Sequence, residues 1–130
     1  MKIESAAFLD KAREFLEKAA DMLADEWPDE AGRAAYLAGL HAAQALIFER
    51  TGKMPKSHRG VQNQLQRVTR YEPLFDPQLS AFLGRTYNFK AIADYETGPG
   101  PRVSRDQAED AIAIATRLIA VIEALIASAA

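Results

Sequence analysis

The sequence predicts an all-α fold: an antiparallel bundle of four to five helices, built as one domain over residues 1–130. Three observations carry that expectation. Apolar residues recur at the three-and-four spacing of a helix through most of the chain. No segment shows the strict alternation of a strand, and capping signals cut the chain into pieces of helical length.

Segment 5–26 places Phe8, Ala12, Phe15, Leu16, Ala19 and Leu23 on one helical face with charges between them, and Trp27-Pro28 closes it. Asp29 or Glu30 opens a second helix over 30–50, where AAYLAGLHAAQALIF is apolar nearly all the way round. A helix without a polar face needs neighbours on more than one side, so this one is expected at the centre. Gly52 and Pro55 then make a turn, and Ser57 caps a third helix over 57–70. Asp76 as N-cap with Pro77 in the first helical position starts a fourth helix, whose buried stripe is Leu79, Phe82, Leu83 and Thr86. Gly98-Pro99-Gly100-Pro101 ends that helix by about residue 96. Ser104 with Gln107 reads as a capping box, and Ala108, Ala111, Ile112, Ala115, Leu118, Ile119, Ile122 and Leu125 form the stripe of the fifth helix.

Composition narrows the class. Of the 130 residues 48% are hydrophobic and 26% charged, which excludes a disordered chain. No apolar run approaches the roughly 18 to 20 residues of a bilayer span, and the N-terminus is charged too early for a secretory signal, so a cytoplasmic protein with no membrane partner is expected. The absence of cysteine excludes disulfides, thiolate zinc sites and a cysteine nucleophile. Charge is unevenly spread. Residues 1–30 hold nine acids against four bases, whereas residues 50–71 hold six bases (Arg50, Lys53, Lys56, Arg59, Arg67, Arg70) and no acid. Such a block attracts phosphate, an acidic peptide, or the acidic first helix of its own chain or a partner chain; the alternative is a solvated face balanced by that helix.

Candidate chemistry is sparse. His41 on the apolar second helix reads as a hydrogen-bonded core residue, and with only His58 beside it in the composition no metal site is expected. Lys56, Ser57, His58 and Arg59 gather at a helix N-terminus, where exposed N–H groups favour an anion while cations oppose the helix dipole. The functional reading is a phosphate or carboxylate site, and the structural one is a plain cap with solvated bases. On the fourth helix, at roughly 100° per residue, Asn88, Ile92 and Tyr95 stand at about −60°, −20° and −80° from Arg85, a polar stripe suited to RNA or to a plain surface, while Lys90 and Asp94 pair on another side. No phosphate loop, nucleophile elbow or histidine–carboxylate constellation is present.

Taken together, AAYLAGLHAAQALIFERTGKMPKSHRGV and the later YNFKAIADYE resemble the HEPN family over nearly the whole chain. The most specific parts are Leu40-His41-Ala42-Ala43, Lys56-Ser57-His58-Arg59-Gly60 and Ala93-Asp94-Tyr95. The resemblance implies a bundle that forms a homodimer and the toxin-like member of a pair with a minimal nucleotidyltransferase antitoxin. It binds that partner and RNA or nucleotide, with no cofactor. Active members are metal-independent endoribonucleases whose motif is an arginine followed, after about four to six mostly polar residues, by a histidine. Arg85 matches the arginine, but residues 90 to 92 are Lys90, Ala91 and Ile92, so the proton-transfer group is absent from its place. Arg85, with His58 as a weaker alternative, is therefore the catalytic candidate. Lys56, Ser57, His58, Arg59, Arg67, Arg70 and Lys90 are the RNA- or phosphate-binding candidates, and Tyr95 is the candidate for nucleotidylation. Two other readings stand beside this one: an active ribonuclease using His58 or His41 instead, and a non-catalytic helical adaptor.

Overall fold

The computed structural model describes residues 1–95, 97–98 and 102–128. It contains five helices, α1 (Ile3–Ala24), α2 (Pro28–Thr51), α3 (His58–Val68), α4 (Pro77–Tyr95) and α5 (Arg105–Ser128), and no strand among the described residues. Pro99, Gly100 and Pro101 of the expected helix break lie outside the described residues, but α4 does end at Tyr95.

α2 is the axle. It packs against all four other helices, and its buried residues are mostly the smallest available, including Ala31, Gly32, Ala34, Ala35, Ala38, Gly39, Ala42, Ala43 and Ala45. Small side chains let neighbouring backbones come close, and at Gly39 the approach is closest: a β-carbon there would overlap the ring of Phe82 on α4. The apolar sequence around most of the helix is thus the imprint of burial on several sides, with one half-buried stripe through Leu37, His41, Gln44 and Phe48. α1 covers one flank of α2, α5 packs on both, and α3 and α4 close the other flank.

The caps form as their sequences require. The Ser57 hydroxyl accepts from Gly60 N at 2.9 Å and the Asp76 carboxylate from Leu79 N at 3.0 Å. At α5 the box closes in both directions, with Gln107 N donating to Ser104 Oγ (3.0 Å) and Ser104 N to Gln107 Oε1 (2.9 Å). Pro28, expected as a break, is instead the first residue of α2, a position where a proline's missing N–H costs nothing. α1 leaves through a reversed turn in which Trp27 N bonds Met22 O and Glu26 N bonds Leu23 O. This is the geometry of a left-handed helix stop, with Glu26 at φ 65° in the place glycine usually takes. α2 ends at Gly52, at φ 72°.

Several expected stripes shift by a residue. In α1 the fully buried positions are Ser5, Leu9, Ala12 and Ala19, with Phe8, Phe15 and Leu16 only packed against their edge. In α5 Ile114 is buried where Ile112 is half-buried. α3 stops at Val68, leaving Arg70 in the following turn. α5 differs more from expectation, being long and apolar enough to cross a membrane by length and composition. In the bundle its apolar stripe lies on α1, α2 and α4, and its two mid-helix charges are paired across helix contacts, Arg117 with Asp76 and Glu123 with Arg13.

One long-range tie fixes the entry to α5. A single oxygen of Asp29, in the first turn of α2, accepts from Arg102 N (2.7 Å) and Val103 N (2.6 Å). Val103 then buries itself against Ala31 and Ala108.

Gly39→Ala tests the axle. Alanine favours an isolated helix over glycine by about 1 kcal/mol, yet here the added methyl meets Phe82. A net loss of about 2 kcal/mol is expected from the urea midpoint at unchanged m-value. A gain in stability would show that α4 can move aside freely.

Candidate functional site

α4 presents two different chemical faces. Tyr87 lies two residues after Arg85, and two steps of roughly 100° carry it nearly to the opposite side of the helix. Arg85 therefore faces α5 and Tyr87 faces α3.

On the α5 side Arg85, Asn88, Arg102, Gln107 and Asp110 rim a groove of about 380 Å³ whose floor is Phe82, Phe89, Ile92, Ala111 and Ile114. Arg85 is exposed and makes no ion pair among the described residues. Arg102, by contrast, donates to Thr97 O at 3.1 Å. Thr86, the hydroxyl nearest Arg85 in sequence, is buried and donates to Phe82 O at 2.7 Å. The groove thus offers guanidinium and amide donors over an apolar floor, with Asp110 as its one carboxylate and no imidazole. Tyr95, which the helical wheel aligned with Arg85, is not among the lining residues. It stands 78% exposed at the end of α4, with Lys90 Nζ 6.0 Å from its ring centre.

Lys90 fills a structural part. Its ammonium lies 2.8 Å from one oxygen of Asp94, whose other oxygen takes Arg33 of α2 at 2.7 Å. The hydrogen bond to Asp94 raises the Lys90 pKa, and the same bond, followed by Arg33, holds Asp94 below the ordinary carboxylate value. An amine pushed up in this way is a worse proton carrier at neutral pH than a free lysine.

On the α3 side a cluster joins residues distant in sequence. The hydroxyl of Tyr36, on α2 and only 1% exposed, lies 2.6 Å from His58 Nδ1. The His58 ring stacks on Tyr87 with centroids 4.0 Å apart and planes at 25°, and Tyr36 meets Tyr87 edge-on. Burial, and then the neighbouring Tyr87, pushes the Tyr36 phenol up to about 12, so it keeps its proton, and the direction of its bond with Nδ1 follows the tautomer of His58. Desolvation lowers the His58 pKa against a smaller opposing effect of Gln62. Where Tyr36 donates, Nδ1 is occupied and neutral His58 carries its proton on Nε2. His58 is a ring fixed on the α3 side of α4 and does not line the Arg85 groove. Ser57, Arg59, Gln62 and Gly84 complete an open groove of about 460 Å³ around His58 and Tyr87.

His41 belongs to a third place. Its Nδ1 bonds Gln44 Oε1 at 2.8 Å, its ring stacks on Phe15, and desolvation lowers its pKa. Among the described residues no three His, Cys, Asp or Glu side chains gather as a metal ion would need.

The basic segment stays open. α1 makes no contact with α3, so the acidic helix does not cover the bases of α3, although Glu4, Phe8 and Lys11 of α1 share a groove with Met54 in the preceding turn. Arg50 pairs with Glu72 at 3.7 Å, while Lys53, Lys56, Arg59, Arg67 and Arg70 make no ion pair among the described residues. Lys53 and Arg67 line one groove beside α3, and Arg59 lines the other.

Sequence reasoning missed Tyr36, Gln62 and Tyr87. Tyr36 is one aromatic in an apolar helix and Tyr87 lies nearly opposite the Arg85 stripe; no spacing links either to residue 58.

Both histidines lie below their ordinary value, so the unfolded chain binds protons that the folded chain refuses. Their contribution is fully present above the unfolded value near 6.5 and declines as pH falls through it toward the folded values. Glu49, Asp76 and Asp94 are held low and lose their contribution only further down, through about pH 4 and below. Urea midpoints are expected to fall between about pH 7 and about pH 5.5, with a shallower fall in His58→Gln. An identical slope in that variant would assign the effect elsewhere.

A search among curated proteins found no match to the chain. The family profile of the HEPN domain, however, matches residues 5–125, which takes in all five helices, the Arg85 groove and the His58 cluster. With its helical bundle and nearly the whole chain matched, this protein belongs to the HEPN domain family.

Proposed function

We propose that the chain is a HEPN module that binds RNA or nucleotide phosphate at Arg85 without cleaving it, acting as a homodimer and as the toxin-like partner of a minimal nucleotidyltransferase. One observation carries this reading. The groove holds Arg85, which has no ion pair among the described residues, over an apolar floor, and no imidazole lines it.

Metal-independent RNA cleavage needs one group to take the 2'-hydroxyl proton and another to supply a proton to the leaving oxygen. Arg85 supplies charge only, since a guanidinium stays protonated. At the motif's histidine position, Lys90 is tied to Asp94 and raised in pKa, and Ala91 and Ile92 carry no proton. The two histidines of the chain line other grooves. What remains suits binding: phosphate on Arg85 and Asn88, and sugar or base against Phe89 and Ile92.

The pairing with a nucleotidyltransferase rests on family membership and on one local feature. Tyr95 offers a phenol 78% exposed at the end of α4, close to the Arg85 groove in sequence and reachable by a transferase. Nucleotidylation there would add negative charge at the end of the helix that carries Arg85 and oppose RNA binding.

The test is a mixed RNA pool incubated with the protein in excess EDTA, with binding and cleavage read together. Wild type is expected to bind and leave the RNA intact, and Arg85→Ala to bind about tenfold more weakly with a salt slope lower by about one. Cleavage that vanishes in Arg85→Ala would overturn the non-cleaving assignment. Failure of a neighbouring nucleotidyltransferase to co-purify, or to modify wild type but not Tyr95→Phe, would remove the pairing.

A further inference from the structure

The α3 face of α4 combines two features that the Arg85 groove does not explain. The first is charge: Lys53, Lys56, Arg59, Arg67 and Arg70, on α3 and the segments that flank it, are left without an ion pair among the described residues, and of these Arg59 lines the groove of Tyr87 while Lys53 and Arg67 line the neighbouring one. The second is an aromatic ring held in a fixed attitude. Tyr87 is 43% exposed, its ring is backed by His58 at 4.0 Å, and His58 is in turn anchored by the buried Tyr36 hydroxyl at 2.6 Å. Arg59 lies in the same groove as Tyr87.

A tyrosine needed only for packing would not expose so much of its ring, and one needed only for solubility would not be braced from behind by two further rings. A ring locked in orientation, beside a cation, is what an unpaired base of a flexible polyanion requires. Its π-face accepts any base at little entropic cost, and the cation takes the adjoining phosphate. We infer that the α3–α4 face is a second contact for single-stranded RNA, in which a base stacks on Tyr87 and the flanking phosphates lie on Arg59 and Lys56. This rests on the RNA-binding reading above but uses the opposite side of α4 from Arg85. An acidic protein segment would satisfy the cations equally well, yet it gives Tyr87 no role.

The stack is selective for bases and indifferent to their order. Tyr87 has no edge donors aimed at a base, so affinity depends on the presence of a base more than on its identity. The cations contribute a part that is independent of bases and sensitive to salt.

Two fluorescein-labelled oligonucleotides of equal length separate these parts: a short oligoadenylate and an abasic strand with the same phosphates, both titrated in EDTA and read by anisotropy. Wild type is expected to prefer the oligoadenylate by on the order of tenfold, with Tyr87→Leu losing that preference, Tyr87→Phe keeping it, and abasic binding unchanged in both. Arg59→Ala is expected to weaken both strands and lower the salt slope by about one.

Tyr87→Leu leaving the preference intact, or weakening both strands equally, overturns the inference. So does polyglutamate binding as tightly as the oligoadenylate with no effect of Tyr87→Leu. Arg85→Ala, measured alongside, separates the two claims. Binding that depends on Arg85 but not on Tyr87 leaves the RNA-binding reading standing and removes this one, whereas wild type binding neither strand removes both. Should Tyr87→Leu fail to fold, a 2-aminopurine flanked by abasic positions reads stacking on wild type directly: quenching on binding supports the contact, and unquenched binding overturns it.

Discussion

The close approach of α4 to α2 at Gly39 sets the geometry on which every site in this protein depends. Phe82 occupies space that any side chain on residue 39 would claim, so α4 lies nearer to the axis of α2 than a leucine-lined contact would allow. The alanines around Gly39 extend the same economy of volume along α2, and large residues from α5 and α4, including Leu118, Ile122, Leu79 and Leu83, fill the space. A helix this closely surrounded keeps only a narrow half-buried stripe at the surface, through Leu37, His41, Gln44 and Phe48. The one polar aromatic it buries, Tyr36, reaches outward through a hydrogen bond to His58. Chemistry is thereby displaced onto α3, α4 and α5, whose outer faces stay open.

With its inner stripe committed to α2, α4 has two flanks left, and they receive opposite treatment. The flank toward α5 is a groove with an apolar floor and an arginine without an ion pair among the described residues; the flank toward α3 is a braced aromatic stack beside Arg59. Arg85 and Tyr87 fall on different flanks because two residues turn a helix by roughly 200°. His58 consequently follows Tyr87, and one chain cannot pair it with Arg85. The Tyr36 hydrogen bond completes the separation. It engages Nδ1 and holds the ring, while burial lowers the pKa of the imidazole.

How much of this was legible in the sequence depends on the range of each interaction. Ser57, Asp76, and Ser104 with Gln107 cap their own helices within three residues, and each cap forms as read. The stripe Leu79, Phe82, Leu83 and Thr86 is buried as read because a helical period is local. The central place of α2 was legible because a helix apolar on all sides has few alternatives. Errors enter where a local signal has two meanings. Proline ends one helix or begins the next, and Pro28 begins α2. Isoleucines at 112 and 114 both suit a core helix, and only the neighbours decide which one faces inward. The Tyr36, His58 and Tyr87 cluster and the Asp29 tie to Arg102 and Val103 join residues from separate helices, so their signal exists only after folding. The Arg85 groove was half legible: the wheel set Asn88 and Ile92 near Arg85, and both line the groove with it, whereas Tyr95 of the same stripe stands exposed at the helix end outside the lining.

The residue at the start of the motif's histidine window follows from the same packing. The last turns of α4 leave the core, and the helix end is fastened to α2 by Asp94, held between Arg33 and Lys90. A carboxylate between two cations is a stable anchor at neutral pH, since each partner favours its ionised form and it returns the favour to Lys90. A proton-transfer group has the opposite requirement, a pKa near the working pH and an environment that tolerates both of its states. One side chain cannot satisfy both. A residue that holds Asp94 in place must remain charged, and a residue that remains charged cannot exchange a proton with a 2'-hydroxyl. The lysine at position 90 therefore strengthens the attachment of α4 by the same interaction that raises its pKa. Arg85, one helical turn and a little more before it, keeps its charge free of any such partner among the described residues.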